Sequence, residues 1–168
     1  MIVTDQAELR KPNELASSDE AIGIITKLEH ELATSSRLGI GLAAPQIGVH
    51  KRVAIIRTKE HLIDLVNPII FDMEHGILVK NEGCLSMPGM SVDTWRFSEI
   101  LFRCDGNPAG VVATGLEAVA IQHEIDHLDC MLMVDRAIRG GVGRNDPCPC
   151  GKHTDTGKPV KFKKCHGR

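Results

Sequence analysis

His123-Glu124-Ile125-Asp126-His127 is the stretch on which the reading of this chain turns. It has the form His-Glu-x-x-His. On a helix, positions i and i+4 lie on one face, one turn apart. Two imidazoles so placed grip one metal ion, and the Glu between them sits beside it as a base. The residues point to metal-dependent hydrolysis. They leave open which third ligand completes the site and what is cut. The alternative is a surface helix whose histidines pair with carboxylates, since short motifs of this kind also arise by chance.

The context predicts a helix over Gly115 to Leu128, which contains no proline. Leu116, Val119, Ala120, His123 and His127 recur at spacings of three and four. Thr114 is a candidate N-cap, and Glu117 a candidate partner in a capping box. Ala118, Val119, Ala120 and Ile121 make the surroundings apolar, so the helix is expected to be buried. A buried helix holds ligands rigidly, as catalysis needs.

The length of 168 residues allows one domain with a sizeable core. Aromatic residues are only 3%, so that core must be aliphatic. No apolar run approaches the length of a membrane span. Met1-Ile2-Val3-Thr4-Asp5 lacks the basic and apolar regions of a signal peptide. A cytoplasmic protein with no membrane partner is expected. Six cysteines without an export signal favour metal or catalytic roles over disulfides. Charge is uneven: residues 1–135 carry 11 Lys+Arg against 20 Asp+Glu, and residues 136–168 carry 9 against 2. An acidic body thus bears a basic tail, which suits a polyanionic partner or simply keeps a small module soluble.

Ser17 or Ser18 caps a first helix, with Asp19 and Glu20 in its first turn. Ile22, Ile25, Leu28 and Leu32 form an apolar stripe read as core. Val53 to Ile56, Leu62 to Val66, Ile77 to Val79 and Ile100 to Phe102 read as strands. Asn67-Pro68 marks a turn or edge break, and Asp105-Gly106-Asn107-Pro108 is a strong turn signal. The expected fold class is α+β: short antiparallel strands packed around a central metal-binding helix, plus a small C-terminal tail. The divisions are 1–138 for the body, 139–143 for a glycine-rich linker and 144–168 for the tail.

A third ligand is offered by Glu82-Gly83-Cys84-Leu85-Ser86, where a cysteine stands beside a glycine. A thiolate and two imidazoles leave a fourth tetrahedral position for water. A plain buried cysteine is the alternative, and the residues alone favour Cys84 only modestly over Cys104 or Cys130. With Gly39-Ile40-Gly41-Leu42-Ala43-Ala44-Pro45-Gln46, three motifs now stand in order. In that order and approximate spacing they resemble the peptide deformylase family, together with Leu9-Arg10-Lys11-Pro12 and Asn67-Pro68, over residues 1–138.

The resemblance implies removal of the formyl group from the N-terminal methionine of nascent polypeptides. It implies Cys84, His123 and His127 as ligands of Fe²⁺, with Zn²⁺, Ni²⁺ or Co²⁺ able to occupy the site. Metal lowers the pKa of its bound water. Glu124 would take the water's proton and pass it to the departing amine. The Gln46 side chain and the Leu85 backbone N–H would donate to the oxyanion, each such donor contributing about 2.7–4 kcal/mol to the transition state. Gly39, Ile40 and Gly41 would admit the peptide backbone. Leu116, Val119 and Ala120 would line the methionine pocket, or serve as ordinary core.

The chain departs from the family in places. Many members follow the second His with Leu-x-Gly, where this chain has Leu128-Asp129-Cys130. Met90-Ser91-Val92 lacks an arginine that some bacterial members use on peptide substrate. Arg96 matches a later arginine and reads as structural. The family's usual C-terminal helix is cut short and replaced by Gly143-Arg144-Asn145-Asp146-Pro147-Cys148-Pro149-Cys150-Gly151 and Lys163-Lys164-Cys165-His166-Gly167. These resemble the zinc-binding tail of the preprotein translocase motor ATPase. Cys148, Cys150, Cys165 and His166 would form a closed structural zinc site, with His153 a competing ligand and a disordered basic tail the alternative. A basic zinc tail suggests docking at the ribosome. Two other functional classes remain: a catalytically silent module that binds formylated peptides, and an ordinary metallopeptidase in which Cys84 is not a ligand.

Overall fold

The structure, a computed structural model, describes residues 1–36, 39–58, 61–138, 143–149 and 152–165. After a short helix α1 (Gln6–Leu9) comes α2 (Ser18–Thr34). Ser17 caps α2 in a complete capping box: the Glu20 N–H donates to Ser17 Oγ, and the Ser17 N–H donates to Glu20 Oε2 at 2.8 Å. Its buried face is Ala21, Ile24, Leu28 and Leu32. Ile22, expected in that stripe, is instead 66% exposed, and Ile25 is half-buried. Ile22 and Leu28 are six residues apart and therefore about 120° apart around the axis, too far to share one face.

Strands β1 (Gly41–Ala43), β2 (Val53–Arg57) and β3 (Leu62–Val66) form one antiparallel sheet in that order. A 3₁₀ turn, Ala44–Ile47, follows β1. The second antiparallel sheet holds β4 (Ile69–Gly83), β5 (Ser91–Cys104) and β6 (Asn107–Thr114). The expectation of short strands fails here. The segments Ile77–Val79 and Ile100–Phe102 are pieces of strands 15 and 14 residues long. Polar positions such as Asp72, Glu74 and Lys80 face solvent and interrupt the apolar pattern, while cross-strand pairing carries the strand through them. Asp105-Gly106 is the two-residue hairpin turn, with Gly106 at φ 86° and Cys104 paired to Asn107. Pro108 is tolerated because β6 is an edge strand.

Helix α3 (Gly115–Leu128) has the bounds the sequence predicts, and ten of its fourteen residues are buried. It packs on β1, β2, β5 and β6. Ala118, Ile121, Ile125 and Leu128 meet Ala43, Ile56, Ile100 and Phe102 in an aliphatic core. The expected Thr114–Glu117 capping box is absent, for Thr114 makes no side-chain cap bond. Its backbone still belongs to β6, paired with Glu99, and Gly115 at φ 59° turns the chain directly from strand into helix.

The tail folds back on itself. Pro147 bridges to Lys161 and His153 to Pro159, and the Cys148 N–H donates to the Val160 carbonyl at 2.8 Å. A short helix α4 (Phe162–Cys165) follows. The Phe162 ring meets Trp95 of β5 edge-on, centroids 5.4 Å apart. Residues 139–142 of the expected linker, and the candidate ligands Cys150 and His166, lie outside the described residues. No helix of the described residues is long and apolar enough to cross a membrane.

Candidate metal centre

Helix α3 presents His123 and His127 from successive turns, their rings 5.1 Å apart. Cys84 arrives directly after β4, and its Sγ lies 3.3 Å from His127 Nε2. One ligand atom from each of the three residues lies within 4.8 Å of the others. Cys104 and Cys130 take no part in that group. A second group, Glu74, His75 and Glu99, is largely exposed on the β4–β5 surface, outside any cleft shared with these ligands.

A thiolate and two imidazoles suit a borderline transition metal and leave a coordination position open. The surroundings ask for a cation. Burial depresses His127 to about 3 and keeps it neutral, the ligating form. Burial also works against charge on His123, yet hydrogen bonds to Cys84 and Glu82 hold that ring up at about 10. A thiol and a carboxylate there thus stabilise positive charge between them.

His123 is fixed by a buried network. Its Nδ1 lies 2.7 Å from Glu82 Oε1, so Nε2 is the nitrogen left for a metal. Arg96, 2% exposed, holds both Glu82 oxygens at 2.6 and 2.9 Å and donates to Asp126 Oδ2 at 2.5 Å. Thr94 also donates to Glu82, and Arg136 donates to Asp126. Burial alone would raise the Glu82 carboxyl, but His123 and Arg96 hold it well below the usual carboxylate range. Arg96 is structural, as its match suggested. The roles of Glu82 and Asp126 were missed although both stand inside quoted motifs. Their charge was the available signal, because a charged residue in a buried segment needs a partner.

Gln46 is 1% exposed. Its Oε1 accepts from the Ala43 N–H at 2.8 Å, which aims Nε2 at Ser86 Oγ (3.1 Å) and Cys84 Sγ (3.5 Å). Here is the reason for a polar amide after an apolar run: its donor end faces the ligands. Glu124 is 4% exposed, and burial pushes its carboxyl up to about 7. Its Oε2 has no hydrogen-bond partner among the described residues. A Cβ on Gly41 would stand 2.5 Å from Glu124 Oε1. Gly41 is therefore needed for the carboxylate to approach, a closer constraint than the peptide contact expected of it. Likewise a Cβ on Gly39 would stand 2.7 Å from Leu85 Cδ1.

A cleft of about 500 Å³ opens beside Cys84 and His123. Every sequence-expected substrate residue lines it: Gly39, Ile40, Gly41, Leu116, Val119 and Ala120, together with Gln46, Cys84, Leu85, His123 and Glu124. A larger cavity of about 660 Å³ lies along another face of α3, beside Arg96, Asp126 and Arg136. Those charges are spent on one another, and the ligand trio does not line it. The tail is less complete: Cys148 is buried and Cys165 half-buried, while His153 is exposed. Cys130, the departure noted after the second histidine, takes φ 62° all the same, so the turn after α3 forms.

The family model for polypeptide deformylase matches residues 1–141. The chain is 46% identical over 113 residues to a peptide deformylase of Pelotomaculum thermopropionicum, covering 64% of this chain and 72% of that protein. It is 39% identical over 140 residues to one of Picosynechococcus, covering 79% and 74%. Among solved structures, a peptide deformylase from Legionella pneumophila superposes with a TM-score of 0.74 at 30% identity, covering 83% of this chain and 86% of that one. One from Synechococcus elongatus in complex with actinonin gives 0.73 at 34%, covering 83% and 79%.

Proposed function

The chain belongs to the polypeptide deformylase family, and we propose on that footing that Cys84, His123 and His127 hold its catalytic metal. The family activity is metal-dependent hydrolysis that removes N-formyl groups from nascent peptides, and it is this chain's activity. A silent binding module and an ordinary metallopeptidase are thereby set aside. One observation carries the site assignment: three atoms of the kinds that ligate metal converge within 4.8 Å, and two of the residues that bear them, Cys84 and His123, line the cleft.

A divalent metal held there supplies Lewis acidity that makes water nucleophilic near neutral pH. We assign it as Fe²⁺, with Zn²⁺, Ni²⁺ and Co²⁺ also suited to the donors. Glu124 takes one proton from the attacking water and returns it to the amine as the C–N bond breaks, giving formate and a free N-terminus. A buried carboxyl raised to about 7 is suited to both transfers. Gln46 Nε2, already aimed at the ligands, donates to the oxyanion, and the Leu85 N–H is the second donor. Leu116, Val119 and Ala120 take the methionine side chain. The test is formate release from formyl-Met-Ala-Ser, using anaerobically purified and Ni²⁺-loaded protein beside Glu124→Ala. Release by the parent and near-loss in the variant supports the assignment, whereas equal release removes Glu124 from the mechanism.

The chain divides, on this reading, into a catalytic body (1–138), a linker (139–143) and a tail (144–168). In the tail, Cys148, Cys150, Cys165 and His166 hold zinc. Support comes from the fold-back that encloses Cys148, and from a segment too small to fold on its own core. One zinc per chain, lost in Cys148→Ser, is the expected stoichiometry beyond the catalytic metal. Arg144, Lys152, Lys158 and Lys161 are exposed and form no ion pair among the described residues. They suit docking to ribosomal RNA in the cytoplasm, near emerging substrates. Unchanged ribosome co-sedimentation at low salt after deletion of residues 144–168 would remove that role.

A further inference from the structure

The two imidazoles of the proposed centre are held in different ways. His123 is steered through its ring, because Glu82 takes Nδ1 at 2.7 Å and Arg96 clamps Glu82. His127 Nδ1 is buried with no hydrogen-bond partner among the described residues. A metal-binding histidine is ordinarily oriented by a partner on its second nitrogen. Lacking one, the His127 ring is oriented by the backbone that carries it, the last turn of α3.

That turn is under demand. A helix end leaves its last carbonyls without intrahelical donors. Chains commonly close such an end with glycine in the left-handed region. Here Cys130 occupies that conformation, φ 62°, at a steric cost glycine would not incur. Help comes from the N-terminal segment. Asn13 Nδ2 donates to the His127 carbonyl at 3.2 Å and to the Leu128 carbonyl at 3.1 Å. Cys130 Sγ donates to the Lys11 carbonyl at 3.1 Å, and Arg10 pairs with Asp135 at 2.7 and 2.9 Å, so the segment is pinned on both sides. Arg52 shares the Leu128 carbonyl. The His127 carbonyl also accepts from the Cys130 N–H at 3.2 Å, and Asn13 is its side-chain donor.

We propose that Asn13 is a positioning residue for His127, setting the metal ligand through its carbonyl where no partner sets its ring. The inference rests on the reading of Cys84, His123 and His127 as the metal site. A helix cap that merely adds stability would look similar in structure and differs in what its loss does.

The test uses the full chain loaded with Co²⁺, whose visible spectrum reports ligand geometry. Asn13→Ala and Asn13→Ser are compared with the parent, with Lys11→Ala in the same segment, and with Leu28→Ala in the α2 core as a control for lost stability. Chelator competition gives the Co²⁺ dissociation constant. The expected result is Co²⁺ held about 10–100-fold more weakly by Asn13→Ala, the range for lost support behind a ligand, with shifted bands. Asn13→Ser, keeping a shorter donor, falls between, and Lys11→Ala matches the parent. Should Asn13→Ala fail to fold, Asn13→Ser carries the comparison. Asn13 variants that weaken Co²⁺ no more than Leu28→Ala, with the parent's spectrum, overturn the proposal and leave the metal site standing. A parent that takes up no Co²⁺ overturns both.

Discussion

In the body, Glu82, Arg96 and Asp126 are buried and satisfy one another. In the tail, Arg144, Lys152, Lys158, Lys161 and Lys164 are exposed and none has an ion-pair partner among the described residues. The first arrangement is costly to desolvate and worthless unless complete. The second costs little and is free to meet a partner. Position follows from this contrast. A catalytic centre needs ligands fixed before substrate arrives, so its charges are locked by protein. A docking surface needs charge that is still available. The body therefore holds its site with its own contacts, while the tail has little besides Cys148 buried and, on the reading proposed above, takes its shape from zinc.

The sharpest way to break that contrast is at Glu124. Glu124→Gln should lower formate release by about 10²–10⁴-fold, the usual worth of a positioned acid–base group. Metal content should be unchanged, since Glu124 is not among the three proposed ligands. Deletion of residues 144–168 should leave turnover on a short peptide within a few fold of the parent. A truncated chain as inactive as Glu124→Gln would show that the tail belongs to the catalytic unit.

Next in size is Arg96→Met. It leaves Glu82 and Asp126 buried without their shared cation, and should cost about 3–5 kcal/mol in urea unfolding of the metal-free protein. Single Lys→Ala changes in the tail should stay within about 0.5 kcal/mol. The network also gives the parent an acid sensitivity. The folded Glu82 carboxyl is depressed below its unfolded value, so its contribution is present above the ordinary carboxylate range and is lost as pH falls through the folded value. Arg96→Met should reduce that pH dependence by raising the folded value. A flat stability profile in the parent would deny the network its role.

The sequence reached α3 with its exact bounds, because no proline interrupts it and its apolar spacing is regular. It also named the three residues whose ligand atoms converge, together with Gln46 and the residues that line the cleft, because those residue types recur in an order few other chemistries need. Glu82 and Asp126 escaped because their partner, Arg96, is distant in the chain, and periodicity carries no record of long-range pairs. Asn13 escaped for the same reason: it meets His127 across 114 positions. The extent of β4 and β5 was hidden by a polar solvent face, and the orientation of α2 by an apolar Ile22 that the core does not use. Short-range signals were legible wherever local geometry decided the outcome. They failed wherever tertiary pairing did.

The smallest expected effect concerns the seam between the two regions. Trp95 is the single tryptophan of the chain, and Phe162 of the tail rests against it edge-on. An aromatic pair of this geometry contributes about 0.5–1.5 kcal/mol beyond its buried area. Phe162→Ala should therefore barely change the stability of the body, yet alter the emission of Trp95 by admitting water to its ring. Zinc removal by a chelator too weak to empty the Cys84 site should alter that emission in the same direction, because α4 carries both Phe162 and the proposed ligand Cys165. Added zinc should reverse the change in the parent and not in Phe162→Ala. Emission unmoved by both treatments would mean that the tail does not rest on the body in solution. The contrast between locked and available charge would then extend to two independently moving parts.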